Sequence, residues 1–457
     1  MNSSTLHAAH VPMGTRLAIG FGYLASYFMA QAMHALAIPY YQMHLGVDPF
    51  KLSLILTLPV FIAACVGPLV GHLSDNTVTK LGARKPYLLV FSCLSGMAFG
   101  IMWMVPVHWS AHAQLLYLAA TASVFFLCTT FYTVPLHSMA YEISDSSAQR
   151  TRVIGFSAYF LKLGALTYQW LFPLTQAAIF GGLAQGVKAV GWLLGVGVFA
   201  LLGSLPGWAI RGRHDILVRH RMKIRHSVKC VVQNPAMRCL CLFTLCQMGG
   251  NACVALFDYN LLVYYVYDGD LEQGAYWKAL LSTAFAVGSI LYVPVITRLS
   301  VRLGKLRVLQ IVLLMNCVGG VAKWFLFVPG SGVLILLDAV FCSAIWTAMV
   351  ISVPALVADL SQEDRAKSHT THTGVFASVH SWVVSLGSVL ALLVYGGLLN
   401  AIGFDASVNG QQSEATFLSM RVFLSAGTLF FSLLGLILLS YWRAQQFTRD
   451  DIGHGNH

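Results

Sequence analysis

About twelve apolar runs, each long enough to cross a hydrocarbon core of roughly 20 residues per helix, leave this chain few ways to fold. Clusters of charge or of Gly, Pro, Asn and Asp separate these runs at 17–44, 52–73, 87–107, 113–141, 153–181, 187–210, 237–267, 276–298, 306–328, 332–358, 371–402 and 417–442. Continuous runs at helical length, not alternating ten-residue segments, specify helices and exclude a membrane β-barrel. Only 10% of the 457 residues are charged and 57% are hydrophobic, whereas a soluble domain carries roughly 25% charged residues. The expected fold class is an all-α membrane protein of twelve transmembrane helices.

The formal net charge of +11 could point to a nucleic-acid partner, but the placement of the basic residues argues otherwise. With both termini on one side, 22 of the 28 Lys and Arg residues fall on that side, so the positive-inside rule puts both termini in the cytoplasm of an inner-membrane protein. No aromatic-interleaved basic module accompanies the charge, which removes nucleic acid as a partner. The opening MNSSTLHAAHVPMGTR has one basic residue and no cleavage site behind a short apolar core, so the first span is expected to be retained. The histidine pairs of HTTH (His369, His372) and HGNH (His454, His457) fall in polar segments without acidic or cysteine partners, and the C-x-C of Cys239 and Cys241 lies in an apolar run. Neither pattern makes a convincing metal site, and no cofactor is expected.

The longest polar interruption runs from Arg211 to Arg238 near the midpoint, giving a six-helix bundle over 1–210, a basic linker over 211–236 and a second bundle over 237–457. The halves echo each other. PLVGHLSDNTVTKLGARK from Pro68 matches PVITRLSVRLGKLR from Pro294, and VPLHSMAYEIS from Val134 matches VPALVADLS from Val353. Two repeats at half-chain spacing fit a pair of six-helix bundles related by an axis along the membrane normal, an architecture that transports by rocking about a central site. In the loop after the second run, Asp75, Arg84 and Lys85 can form charge-assisted contacts with neighbouring helix ends, joined by Glu142, Arg152 and Asp359 at the matching ends of other runs. Such contacts would latch one state on the cytoplasmic side; the plainer reading is that the basic residues only obey the positive-inside rule.

GPLVGHLSDNTVTKLGARKPY resembles the loop between helices two and three of the major facilitator superfamily, and more narrowly that of the glycoside-pentoside-hexuronide:cation symporters. GFGYLASY from Gly20, VPLHSMAYEISDSSAQRTR, ALVADLSQEDRAKSHTTHTGVFAS and MRVFLSAGTLFF resemble further blocks of that family along the whole chain. Related sucrose and lysolipid carriers share much of the pattern. The resemblance implies a secondary transporter with a small-molecule substrate, membrane lipid around it and a cation or proton as coupling partner; the chain is expected to be a monomer. Departures bear on the cation: the two helix-two acids of sodium-coupled relatives fall here on Ala63 and Gly67, and a facing lysine falls on Ser385. The sugar-gripping acids of helices one and four fall on Tyr27 and Thr133, and an arginine of helix five on Ser157. Sodium needs several hard oxygens, which Ala and Gly cannot supply.

A charge at membrane depth is costly and so marks a functional candidate. Lys162, Asp258, Lys323 and Asp338 all fall inside apolar runs. Asp258 and Lys162 lie in spans that the resemblance places around the cavity on opposite halves, making Asp258 a candidate proton carrier and Lys162 its counter-charge or a substrate anchor; a structural pair or a residue at the interface is the plainer alternative. Lys323 is expected to snorkel to the headgroups and Asp338 to sit at the entrance. His34, His137 and His380 are candidate proton or solute ligands. Tyr27, Trp170, Tyr259 and Trp346 offer flat faces for a ring, and Thr133 and Ser385 offer hydroxyls, although each could equally be packing. No nucleophile elbow, phosphate loop or metal cluster suggests an enzyme. The expected function is transport of a glycoside or related polar organic solute, proton-coupled or facilitative. A lysolipid or other amphiphile carrier, a small-metabolite carrier or exporter, and a non-transporting sensor are the alternatives.

Overall fold

In hydrocarbon every backbone N–H and C=O must find its partner within the segment, so each apolar run has to close its hydrogen bonds as a helix. The computed structural model describes residues 11–77, 79, 81–82, 84–106, 108–141, 147–209, 234–368, 373–405 and 412–454. Among these residues twelve long helices follow in order. They are α1 (Met13–Ala37), α2 (Pro49–Asn76), α3 (Lys85–Met102), α4 (Ala111–Tyr141), α5 (Ser147–Thr167) and α6 (Leu183–Ala209), then α7 (Pro235–Val266), α8 (Leu271–Leu303), α9 (Lys305–Leu326), α10 (Gly332–Glu363), α11 (Thr373–Ala401) and α12 (Glu414–His454).

Ten of them are long and apolar enough to cross a membrane. The other two, α1 and α5, stand where the first and fifth spans are expected, and their composition explains the difference. The first carries Arg16, Gln31 and His34, and the second Arg150, Arg152 and Lys162. These two helices pack against each other, with Gly20 beneath the ring of Phe160 and Gly164 beneath that of Tyr27. The repeat seen in the sequence has a structural trace: Pro135 and Pro354 are both internal to their helices, α4 and α10. Likewise α1 continues into a π-helical segment at Ile38–His44 and α7 ends in one at Leu261–Val266.

The chain divides into two units, Met1–Tyr41 with Ile55–Leu217, and Gln42–Leu54 with Val218–His457. The second unit therefore takes in the connector between α1 and α2. Its apolar core includes Met237, Leu240, Phe243, Leu309, Leu313, Ile345, Met349 and Trp442.

Helices in lipid gain little from apolar burial against each other and rely on close packing. In the first unit α3 and α6 meet backbone to backbone. A Cβ added at Gly96 would fall on the carbonyl oxygen of Gly195, and one at Gly195 on that of Gly96. One turn along, Gly100 lies under the indole of Trp192 and Gly191 under that of Trp103. A Gly96→Val substitution must part the two helices, so a loss of about 1–3 kcal/mol is expected, whereas Gly197→Ala, with open space at its Cβ position, should be neutral. Thermal unfolding of the purified proteins in detergent, with a lower midpoint for the first variant only, is the check.

Candidate functional site

Two separate groups of side chains, one in each unit, stand out from the lipid-facing majority. In the first unit aromatic rings line up along α1. Tyr23 stacks on the imidazole of His137 from α4, with centroids 5.1 Å apart and planes at 29°. One turn further, Tyr27 meets Tyr168 edge to face at 5.9 Å. Tyr168 belongs to a 3-10 turn, Tyr168–Trp170, that interrupts the helical path after α5 and also positions Trp170. His34 lies against Phe126, 6.4 Å between centroids, and its Nδ1 is buried with no hydrogen-bond partner among the described residues. Tyr27 and His34 follow Tyr23 at helical spacing along α1, His137 of α4 meets that helix through Tyr23, and Thr133 lies one turn before His137 on α4. Their chemistry is aromatic and neutral.

The second unit holds the charges. Asp258 sits on a short α-helical stretch, Phe257–Asn260, between the π-helical segments Cys246–Asn251 and Leu261–Val266. Local π-turns inside helices cluster at functional positions because they re-aim side chains. The carboxylate is held by Lys278 of α8, whose Nζ lies 2.7 Å from each oxygen. The placement follows from the hairpin between α7 and α8. Asp268 and Gly269 take positive φ, Gly269 N donates to Val263 O at 2.8 Å, and Asp270 caps α8 by accepting from Gln273 N. Gly274 then packs directly on Val263, which leaves Lys278 one turn further along, opposite Asp258.

That pairing differs from the expected one, which joined Asp258 to Lys162. Lys162 is half-buried on α5 and makes no ion pair among the described residues. Lys278, third residue of the apolar run 276–298, is the residue that sequence reasoning missed; its signal was a position eight residues into a helix announced by Asp270. A second correction concerns Lys323 and Asp338. Both are buried within the second unit instead of being exposed at its surface. They pair at 2.8 Å with side chains 5% and 0% exposed, since the turn between α9 and α10 brings the end of one helix over the start of the next. Arg421 of α12 is a further, half-buried cation, with its guanidinium over Trp324 and Tyr265 at 4.3 and 5.3 Å and Nη2 donating to Trp324 O at 2.9 Å.

Beside Asp258 runs an uncharged chain of hydrogen bonds. Gln42 Nε2 donates to Asn260 Oδ1 at 3.1 Å, and Asn260 Nδ2 donates to the Tyr395 hydroxyl at 2.7 Å. Asp48 caps α2 with one oxygen and accepts from Asn400 Nδ2 with the other. Tyr259 is buried next to these groups. Trp346 packs against the apolar core, and Ser385 donates back to Ser381 O of its own helix, while His380 is half-buried with Nε2 unpartnered among the described residues. Of the expected cytoplasmic contacts, Asp359 holds Lys305 of α9 at 2.6 Å, and Arg84 and Lys85 are half-buried at the start of α3. The side chains of Asp75, Glu142 and Arg152 lie outside the described residues, as does HTTH.

The sequence pattern that defines MFS/sugar transport proteins matches residues 18–444. Over 440 residues the chain is 22% identical to the Uncharacterized symporter YnaJ of Bacillus subtilis (strain 168), covering 93% of this chain and 91% of the relative. The crystal structure of the nucleoside transporter NupG superposes with a TM-score of 0.62 at 13% identity, covering 94% of this chain and 99% of that one. A bacterial homolog of the human lysosomal transporter Spinster, inward-facing and unoccupied, superposes with a TM-score of 0.65 at 14% identity, covering 94% and 95%.

The Lys323–Asp338 pair lends itself to a direct energetic test. Removing one partner strands a charge in a dry interior, so Lys323→Met should cost about 3–5 kcal/mol, while the double change Lys323→Met with Asp338→Leu should return close to wild type. Thermal midpoints of the single and double variants in one detergent report the difference.

Proposed function

We propose that this chain, which belongs to the MFS/sugar transport protein family, carries a glycoside or a related polar organic solute across the cytoplasmic membrane by alternating access, driven by protons or running as a facilitator. Secondary transport of an organic solute follows from the family and needs no covalent chemistry. The finer reading rests chiefly on the aromatic surface of the first unit, where Tyr23, Tyr27, Tyr168 and His137 offer rings and polar edges at once. A sugar ring presents apolar C–H faces and hydroxyl edges, and such side chains can meet both. His34, Thr133 and Trp170 are further candidates in the first unit; Tyr259, His380, Ser385 and Trp346, which packs against the apolar core, are candidates in the second.

Against sodium stands the chemistry at the helix-two positions. Ala63 is buried, and Gly67 has open space where a side chain would start. Neither supplies oxygen. Both termini are assigned to the cytoplasm from the basic residues. The charged contacts at that end, Asp359 with Lys305 among them, are exposed at 49% and 32%. Pairs of this kind are worth roughly 0.2–1 kcal/mol, weak enough to form and break in every cycle, as a latch shared with Asp75, Arg84, Lys85, Glu142 and Arg152 requires.

Uptake of labelled disaccharides, uronides and lysolipids into proteoliposomes, with and without a proton gradient and with or without sodium, tests this reading. Sugar accumulation that follows the proton gradient and ignores sodium is expected, and lysolipid movement alone would replace the solute class with an amphiphile. For the sugar that is carried, Tyr27→Ala should raise the half-saturating concentration about tenfold, the equivalent of losing one aromatic contact of about 1.4 kcal/mol.

A further inference from the structure

The two buried ion pairs of the second unit differ in the respect that matters for moving a proton. Lys323 and Asp338 are sealed, at 5% and 0% exposure, and tie consecutive helices together. Asp258 and Lys278 keep 9% and 16% of their side chains exposed, so a proton can reach the carboxylate and the ammonium has somewhere to go. Asp258 also lies on a segment bounded by two π-helical stretches, and it is two residues from Asn260, which holds both the α1–α2 connector through Gln42 and α11 through Tyr395. No other carboxylate among the described residues combines burial, residual access and a position in a hydrogen-bonded junction.

We infer that Asp258 is the acceptor of the coupling proton and that the proton takes the place of the Lys278 ammonium on its carboxylate. The inference rests on the secondary-transport reading and replaces Lys162 with Lys278 as counter-charge. A proton from water adds to one carboxylate oxygen; Lys278 keeps its own proton, and the pair passes from neutral to singly positive. An ammonium beside a neutral acid has lost most of its reason to stay, so Lys278 is released toward the mouth of the α7–α8 hairpin. Release of the proton restores the pair. The groups around Asp258 fit this assignment. From α8 comes Lys278, and from α9 and α10 Lys323 and Asp338, already committed to each other at 2.8 Å. Tyr259 and Tyr264 lie on its own helix and Tyr395 on α11, and Arg421 on α12 is occupied by Trp324 and Tyr265. Asp258 is thus the one acid of this group whose partner can leave without stranding a fully sealed charge.

Infrared difference spectra of the full-length protein in proteoliposomes, titrated from about pH 3 to about pH 8 with no solute added, read the step directly, the acid end being needed because the Lys278 ammonium favours the ionised carboxylate. A protonated-carboxyl band is expected in the wild type, absent in Asp258→Asn, and displaced along the pH axis in Lys278→Gln. Lys162→Gln should leave it unchanged. The double variant Asp258→Asn with Lys278→Gln removes both charges together, which preserves the fold if the single change does not; it too should lack the band. A band that survives in either asparagine variant, that ignores Lys278→Gln, or that is missing from the wild type overturns the assignment. Because no solute takes part, the result stands apart from the uptake panel, and the two readings fail separately.

Discussion

The cost of placing a charge away from water governs much of the second unit. Idealised transfer of a carboxylate or ammonium into a dry interior costs many kcal/mol, and pairing recovers it only when geometry is good. Both buried pairs meet this demand in the same way, by joining residues across a short turn between consecutive helices: 20 residues apart for Asp258 and Lys278, 15 for Lys323 and Asp338. Short turns fix the relative register of two helices, so each charge is delivered to its partner by local chain geometry. The ion pairs then hold the hairpins closed in return. Arg421 meets the same demand with aromatic faces and a backbone carbonyl, which suit a delocalised guanidinium.

Uncharged polar groups extend this framework. The connector Gln42–Leu54 counts with the second unit, although it joins the first two helices, because three side chains give it partners there. Gln42 bonds Asn260, Asp48 bonds Asn400, and Ser53 lies on Gly396, where any larger side chain would collide. Each bond contributes modestly, about 1 kcal/mol, yet a buried amide left unpaired would cost more than its bond returns. A connector held by such terms is firmly placed and still releasable, in contrast to the sealed Lys323–Asp338 pair.

The helices themselves were legible in the sequence because run length and hydropathy have one solution in a bilayer. Of the half-chain echo, the matched prolines Pro135 and Pro354 both lie within their helices. The partners of the charges were not legible. Run length places Asp258, Lys323 and Asp338 at membrane depth, but the choice among possible counter-ions depends on helix rotation and on turn geometry. Lys278 illustrates the gap: counted from the loop it looks like an interfacial residue, while the tight packing of Gly274 on Val263 turns it inward. The stacking of Tyr23 on His137 was hidden for a similar reason, because it joins two helices whose facing residues no periodicity identifies. Tyr27, His34 and His137 could be named from residue type and position; the ring contacts each makes could not.

The chemistry of the coupling cation ties these observations together. Sodium has to be surrounded by several oxygens at fixed distances, and a chain with alanine and glycine at the usual positions has dismantled that cage. A proton makes a smaller demand. One carboxylate suffices, with a counter-charge that stabilises its ionised form and can withdraw when the proton arrives. The first unit sets the rings of Tyr23, Tyr27 and Tyr168 along α1 and the turn after α5; the second holds one sealed pair and one accessible pair. Under this division the helix-two positions Ala63 and Gly67 are no argument against transport, because a proton taken up at Asp258 would need no cage of oxygens there.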